Sequence, residues 1–250
     1  MTNPSPAYVE GATVLSQERL TDDVYRLTVA TTTGGTPGQF YMVRGWDREP
    51  LLARPISIHS MDGNTVSFLY QVRGWGTDLL ARLVNGNKVA LIGPLGHGFR
   101  TGELRGRIAI VTGGIGIAPM FCLARTLPAA DVTVIAGFRS HPYAVAQLLE
   151  LGIGVQVATE DGCDGTRGFC TEIFDPHAYD TVVTCGPMPM MARVAHLCAE
   201  AGVACQASLE AHMACGVGAC LVCSCPTVLG NKRVCADGPV FDATEVVWNA

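Results

Sequence analysis

The stretch CGVGACLVC, from Cys215 to Cys223, followed by Cys235 in KRVCADGP, constrains this chain more than any other. Its thiols are spaced Cys215-x4-Cys220-x2-Cys223-x11-Cys235. Thiols this close can share one centre only if the backbone curls tightly, and Gly216 and Gly218 permit angles that a Cβ resists. The x4, x2 spacing is that of a plant-type 2Fe-2S cluster. Gly218 and Ala219 also leave backbone N–H groups free to face the sulfurs. Structural zinc usually takes two C-x2–4-C knuckles, one on each side of the metal, whereas here three cysteines share one loop. Zinc binding and free-thiol chemistry stand as the alternatives. Cys225 offers a competing Cys223-x-Cys225 pair; the x2 spacing favours Cys223 and makes Cys225 a packed bystander. His212 lies near the loop, but a Rieske centre needs two histidines, so His212 reads as a surface residue or a neighbour of the ligands.

The chain has eleven cysteines and 250 residues. A secreted disulfide scaffold is usually shorter and carries an export signal. The opening MTNPSPAYVE has neither a basic nor an apolar signal region, so a cytoplasmic protein is expected. The cysteines outside the cluster read as small buried hydrophobes. A net charge of −5 without a basic run gives no footprint for nucleic acid. The most membrane-like segment, Ile108 to Ala124, is broken by glycines and a proline and is shorter than the ~20 residues of a spanning helix, so no membrane is expected.

Three zones follow one another. From Pro4 to about Phe99, short alternating runs such as VYRLTVATT, QFYMVRG, PISIHS and TVSFLYQV are separated by turns such as GGTPG, MDGN and VNGN. They predict an antiparallel barrel with one short helix, GTDLLARLV. From about Arg105, strands RIAIVTG, DVTVIAGF, VQVATED and DTVVTCGP alternate with helices, which predicts a parallel sheet with crossover helices. From Gln206 comes the cysteine-rich tail, too small to fold without a metal or a docking surface. The fold class is thus α+β and multidomain, with boundaries at 1–101, 102–205 and 206–250.

In ARPISI, Arg54 beside Pro55 at a strand start can fix a guanidinium against a diphosphate, and Ser57 offers a hydroxyl where a flavin ring can lie. Gly76 and Thr77 sit at a helix start suited to phosphate, although Thr77 reads equally as an ordinary cap. VTGGIGIAPM follows a strand and opens a helix, so Gly113, Gly114 and Gly116 would let a dinucleotide approach the backbone. It is not a strict G-x-G-x-x-G, and a plain strand–helix turn is the competing explanation. Cys185, Gly186 and Pro187, in CGP, follow another strand and fall at the same sheet edge.

In that order RPIS, LYQ, GT, GGIGIAP, CGP and MACGVGACLVCSC…RVCADGPVF resemble the electron-transfer subunit of class B dihydroorotate dehydrogenase, within the ferredoxin reductase superfamily. The resemblance spans essentially the whole chain. It implies a six-stranded flavin-binding barrel, a nucleotide-binding α/β domain and a carboxyl-terminal 2Fe-2S segment. Carried over by position, it implies that Arg54, Pro55, Ile56, Ser57, Leu69, Tyr70 and Gln71 hold FAD, with Gly76 and Thr77 on its phosphates. Cys215, Cys220, Cys223 and Cys235 would ligate the cluster. Gln71 departs from the family, which often has a basic residue there. NAD(H) would exchange electrons with FAD, FAD with the cluster, and the cluster with FMN in a catalytic subunit that oxidises dihydroorotate to orotate in pyrimidine biosynthesis. No acid–base residue is required for the hydride step. The family also implies a heterotetramer with two chains of each kind, and NADH rather than NADPH. From the residues alone, Arg139 fits either a 2′-phosphate or a solvated strand end. Met213, Ala214 and Val217 are expected to cover the cluster and meet the partner. The rivals are the small subunit of a NADH-dependent ferredoxin–NADP reductase, a hydrogenase-type subunit and, in a different class, a zinc-stabilised binding module.

Overall fold

A computed structural model of the chain describes residues 6–248. Residues 1–5, half of the stretch read above for an export signal, lie outside it, as do 249–250. The first six strands are β1 (Ala7–Arg19), β2 (Val24–Ala30), β3 (Phe40–Arg44), β4 (Arg54–Asp62), β5 (Thr65–Gln71) and β6 (Lys88–Leu95). They close into an antiparallel barrel in the order β1-β2-β5-β4-β3-β6. Full closure leaves no strand edge unpaired. Its interior is filled by alternate residues, among them Val14, Leu27, Tyr41, Ile58 and Phe68. Helix α1 (Trp75–Ala81) is the short helix expected in GTDLLARLV.

Next come β7 (Ile108–Gly113), α2 (Ala118–Ala124), β8 (Val132–Phe138), α3 (Val145–Glu150), β9 (Gly154–Thr159), β10 (Thr166–Arg167), α4 (Cys170–Ile173), β11 (Thr181–Cys185), α5 (Met188–Ala201) and β12 (Ala204–Ser208). The tail adds β13 (Ser224–Thr227), β14 (Gly230–Arg233) and β15 (Val240–Asp242). The second sheet runs β10-β9-β8-β7-β11-β12-β15 and is parallel except at its last pair, where β15 meets β12 antiparallel. Every residue of β7, IAIVTG, is buried, as a central parallel strand requires. The segment Ile108 to Ala124 is therefore a strand, a turn and a two-turn helix, and no described helix is long and apolar enough to cross a membrane.

Two features of this sheet go beyond the alternation read from sequence. Strand β12 spans Ala204–Ser208, so the boundary at 205/206 falls inside it. The tail returns as β15 to lengthen the same sheet. The hydrophobic cluster around Ala109, Val111 and Val182 takes in Phe40, Met42 and Leu95 of the barrel and Cys223, Val234, Cys235 and Phe241 of the tail. The tail thus folds against surfaces that the other two zones provide, the docking its small size demands. A second cluster joins Leu69 and Val24 of the barrel to Ile110, Met120 and Val183 across the interface of the first two zones.

Candidate functional site

A cleft of about 1670 Å3 opens between the barrel and the carboxyl ends of β7, β8, β9 and β11. Single small-molecule sites usually measure about 300–1,000 Å3, so this one has room for more than one ligand. The barrel wall is Arg54, Pro55, Ile56 and Ser57 on β4 and Leu69, Tyr70 and Gln71 on β5, with Thr77 from α1. The sheet wall is Gly113, Gly114, Gly116, Gly186 and Pro187. Residues read from separate motifs are thus gathered into one cavity. Gly76 and Cys185 are not on its walls.

Both exceptions have physical causes. A Cβ at Gly76 would run into the Arg54 guanidinium, so the glycine supplies a bed for that arginine rather than a surface of the cleft. Arg54 also lies over the Trp46 ring, 5.4 Å from its centroid, and donates to the Leu52 carbonyl at 2.5 Å. Held on three sides, its guanidinium is fixed at the wall of the cleft. Cys185 is buried, which drives its thiol well above the usual range, and its carbonyl is where a Cβ on Gly116 would land. Gly116 therefore lets the turn after β7 settle against the end of β11. Thr77 does cap α1, as the plainer explanation held: its Oγ1 accepts from the N–H groups of Arg73 (2.9 Å) and Gly74 (3.2 Å). It lines the cleft as well. Gln71 donates to Asp23 at 2.5 Å and accepts from Arg73 Nε at 2.8 Å, so the basic group missing at position 71 stands two residues away.

The cleft also has walls that no motif announced. Tyr143, Glu160, Phe169, Met190, Arg193 and Glu210 all line it, as does Arg139. They come from loops and helix starts without a spacing signature. Glu210 presents a solvent-exposed carboxyl at the cleft wall, with Arg73 nearby. The run Leu209–Met213, which includes His212, lines the cleft and leads straight into the cysteine loop.

In that loop Gly216, Gly218 and Leu221 have φ of 73°, 81° and 61°, the left-handed angles that make the curl. A Cβ at Gly216 would come within 2.7 Å of Met42 Cγ and 3.1 Å of Leu95 Cδ1, so the loop lies directly on the barrel. The thiols gather in two pairs, Cys215 with Cys220 and Cys223 with Cys235, each within hydrogen-bonding reach. No three His, Cys, Asp or Glu side chains among the described residues surround a single ion position. Backbone donors point inward: Val217 N–H to Cys215 Sγ at 3.4 Å, Gly218 N–H to Cys235 Sγ at 3.1 Å and Cys235 N–H to Cys223 Sγ at 3.4 Å. Burial works against a thiolate at Cys215, but the N–H groups of Val217, Cys220 and Ala219 and the Cys220 thiol outweigh it and bring the thiol down to about 6. Two thiol pairs with amides aimed at sulfur are the donor set that two bridged irons need. Cys225 sits outside the pairs on β13, opposite Lys232, packed against the core. Arg233 crosses the loop: it donates to the Gly218 carbonyl at 3.2 Å and pairs with Asp237 at 2.9 Å.

Residues 210–247 match the model of the iron-sulfur cluster binding domain of dihydroorotate dehydrogenase B. The dihydroorotate dehydrogenase B (NAD(+)) electron transfer subunit of Clostridium acetobutylicum is 43% identical over 231 residues, covering 92% of this chain and 94% of that protein. Its counterpart in Clostridium perfringens is 44% identical, covering 91% and 93%. The chain belongs to this family. Among solved structures, a chain of the NADH-dependent reduced ferredoxin-NADP oxidoreductase superposes with a TM-score of 0.86 at 25% identity, covering 96% of this chain and 91% of that one. The Amycolatopsis cytochrome P450 reductase, at 22% identity and TM-score 0.67, covers 79% of this chain and shares its fold. The cleft and the cysteine loop adjoin, joined by Leu209–Met213.

Proposed function

We propose that this chain relays electrons between NAD(H) and the FMN of a separate catalytic subunit that oxidises dihydroorotate to orotate, by way of FAD and a 2Fe-2S cluster. The adjacency of the two-walled cleft and the paired thiols carries this reading. Bound there, FAD exchanges a hydride with a nicotinamide and single electrons with an iron–sulfur centre, the conversion such a subunit must make.

The chain's own residues orient and exclude. Arg54, steadied by Trp46 and seated on Gly76, neutralises the FAD diphosphate together with the N–H groups near Thr77. Pro55 and Leu69 form an apolar wall for the ring system, backed by Ile56 and Tyr70 in the barrel core, with Ser57 and Gln71 as its polar contacts. Gly113, Gly114, Gly116, Gly186 and Pro187 allow the nicotinamide dinucleotide close to the sheet edge. Glu160, at the end of β9, favours NADH: a carboxylate accepts from ribose hydroxyls and repels a 2′-phosphate. Cys215, Cys220, Cys223 and Cys235 hold the cluster, and the amides of Val217 and Gly218 stabilise its added negative charge.

Val217, Leu221, Val222, Val228 and Leu229 are large exposed apolar side chains of the tail, and they form the face for the catalytic subunit. The partner surface widens accordingly from Val217 along the hairpin tip, while Met213 and Ala214 are half-buried beneath it. A cytoplasmic heterotetramer with two chains of each kind completes the proposal. Anaerobic titration with NADH, with and without the co-expressed catalytic subunit, tests it. About one and a half equivalents, three electrons, should bleach the flavin and the cluster in the chain alone, and dihydroorotate should reduce both only with the partner. A colourless protein containing zinc without iron or sulfide would falsify it.

A further inference from the structure

The two halves of the cleft belong to different sheets, yet the reaction proposed above needs them in fixed register. Of the side chains that span the seam, one imidazole does so directly behind the cleft. His59 stands on β4 two residues beyond Ser57, and its side chain is only 1% exposed. In the β4–β5 ladder Ile58 pairs with Phe68 and Ser60 with Ser67, which leaves His59 as an extra, bulged residue. A bulge turns a side chain out of the regular alternation, and bulges are frequent beside active sites. Here it delivers the ring into the nucleotide half.

Three contacts fasten the ring there. Nδ1 lies 2.8 Å from the carbonyl of Ala118, at the start of α2 and on the cleft wall. The ring stacks on Phe121 of α2 with centroids 4.9 Å apart and planes 23° from parallel. Nε2 lies 3.1 Å from the carboxamide of Gln147 on α3. A carbonyl can only accept, so Nδ1 carries the hydrogen. The neutral ring then accepts at Nε2, and the Gln147 carboxamide turned end for end presents its NH2 there. One neutral imidazole is thereby tied to two helices of the other half at both nitrogens and one face.

We propose that His59 is a positioning residue for hydride transfer, holding the Gly114–Ala118 turn, where the nicotinamide binds, at a fixed separation from the Ser57 side, where the flavin ring binds. Hydride transfer is steep in distance, and a misplacement of about 1 Å can cost on the order of 100-fold in rate. His59 touches neither ligand; it sets the gap between their beds. The Asp62–Arg125 pair (2.8 Å), farther along β4 and at the end of α2, braces the same seam from its exposed side.

The inference rests on the proposed NADH–FAD chemistry, and the experiment separates the two. Flavin reduction is followed by anaerobic stopped flow in the complex with the catalytic subunit, over a range of NADH concentrations, for the native protein and two variants. His59→Leu fills the space without a donor. His59→Asn restores an N–H near the position of Nδ1. The expected result is a limiting rate about 10- to 100-fold lower in His59→Leu, with the NADH concentration for half-maximal rate changed less than about twofold and most of the rate recovered in His59→Asn. Hydrogen exchange of the amides from Gly114 to Phe121 should quicken in His59→Leu and not in His59→Asn, with β1 and β2 unchanged. If His59→Leu does not hold FAD, Gln147→Leu carries the test, with a fall in limiting rate of about threefold at an unaltered half-maximal concentration. Failure of NADH to reduce the native flavin overturns the underlying chemistry. Native reduction together with an equally fast His59→Leu, an unrescued His59→Asn, or an unaffected Gln147→Leu where that variant is needed, overturns the positioning role.

Discussion

Gly216 concentrates two demands at one Cα. Its φ of 73° is one that a side chain resists, and a Cβ there would press on Met42 and Leu95. Left-handed strain alone costs about 1–3 kcal/mol, and the clash adds to it, so the loop should lift off the barrel rather than absorb the change. Gly216→Ala is expected to purify with FAD but with less than half the native iron and sulfide, as colorimetric assay of both would record. Native iron content in that variant would show that the loop closes without the glycine. Such demands are only partly visible in a sequence. The left-handed need of Gly216 was legible, because two thiols with only four residues between them must converge. Its seat on Met42 was not, since a contact across 174 positions leaves no mark on local pattern. For the same reason the role of Gly76 as a bed for Arg54, and the burial of Cys185, emerge only in three dimensions.

Among the elements, β4 gathers the most consequences. Its alternation places Ile56 and Ile58 in the barrel core and Ser57 toward the cleft, and its bulge sends His59 across the seam. Burial is the main reason that the His59 ring resists protonation, with Arg26 adding to it, while the Ala118 carbonyl opposes both. Asp62 and Arg125, at the seam's rim, are the other charged pair near this interface. A histidine whose folded pKa is depressed contributes stability above its unfolded value of about 6.5. That contribution diminishes as pH falls below this value toward the folded pKa, because the unfolded chain takes up the proton first. The melting temperature of the native protein should therefore drop faster between pH 6.5 and 5 than that of His59→Leu, measured by calorimetry. Parallel pH profiles for the two would remove the ring from the account. Strand β15 makes a second element-scale prediction. Phe241 is 3% exposed in the cluster shared by sheet and tail. Large aromatic truncations in cores cost about 3–5 kcal/mol. Phe241→Ala should lower stability in denaturant by that amount and expose the tail to limited proteolysis before the barrel. The barrel and the alternating half were readable from their periodicities, whereas β15 was not: Val240–Asp242 is a strand only because β12 offers it an edge.

The whole molecule works as a relay only if its input and output faces are independent. The cleft opens between barrel and sheet, while the exposed apolar residues Val217, Leu221, Val222, Val228 and Leu229 lie on the tail. Val222→Asp, at an exposed site between two of the cluster cysteines, is expected to weaken association with the catalytic subunit at least tenfold by co-purification or calorimetry, since an unpaired charge is costly in an interface core. NADH should bleach its flavin as in the native chain. Loss of both properties together would mean that the substitution disturbs the cluster itself. The motif residues that line the two cleft walls were legible as short separate motifs. The walls made by Tyr143, Phe169 and Glu210 were not, since they come from loops that only the assembled fold brings to the same cavity.

Because β15 is the outer rung of the second sheet and follows β12 in the chain across the whole cysteine loop and hairpin, the growing polypeptide carries β12 as a bare edge until β15 has been made. Bare edges invite pairing with other chains. A product cut short after the final ligand, at about residue 236, would retain every thiol needed for iron yet expose that edge, and it should accumulate as insoluble material.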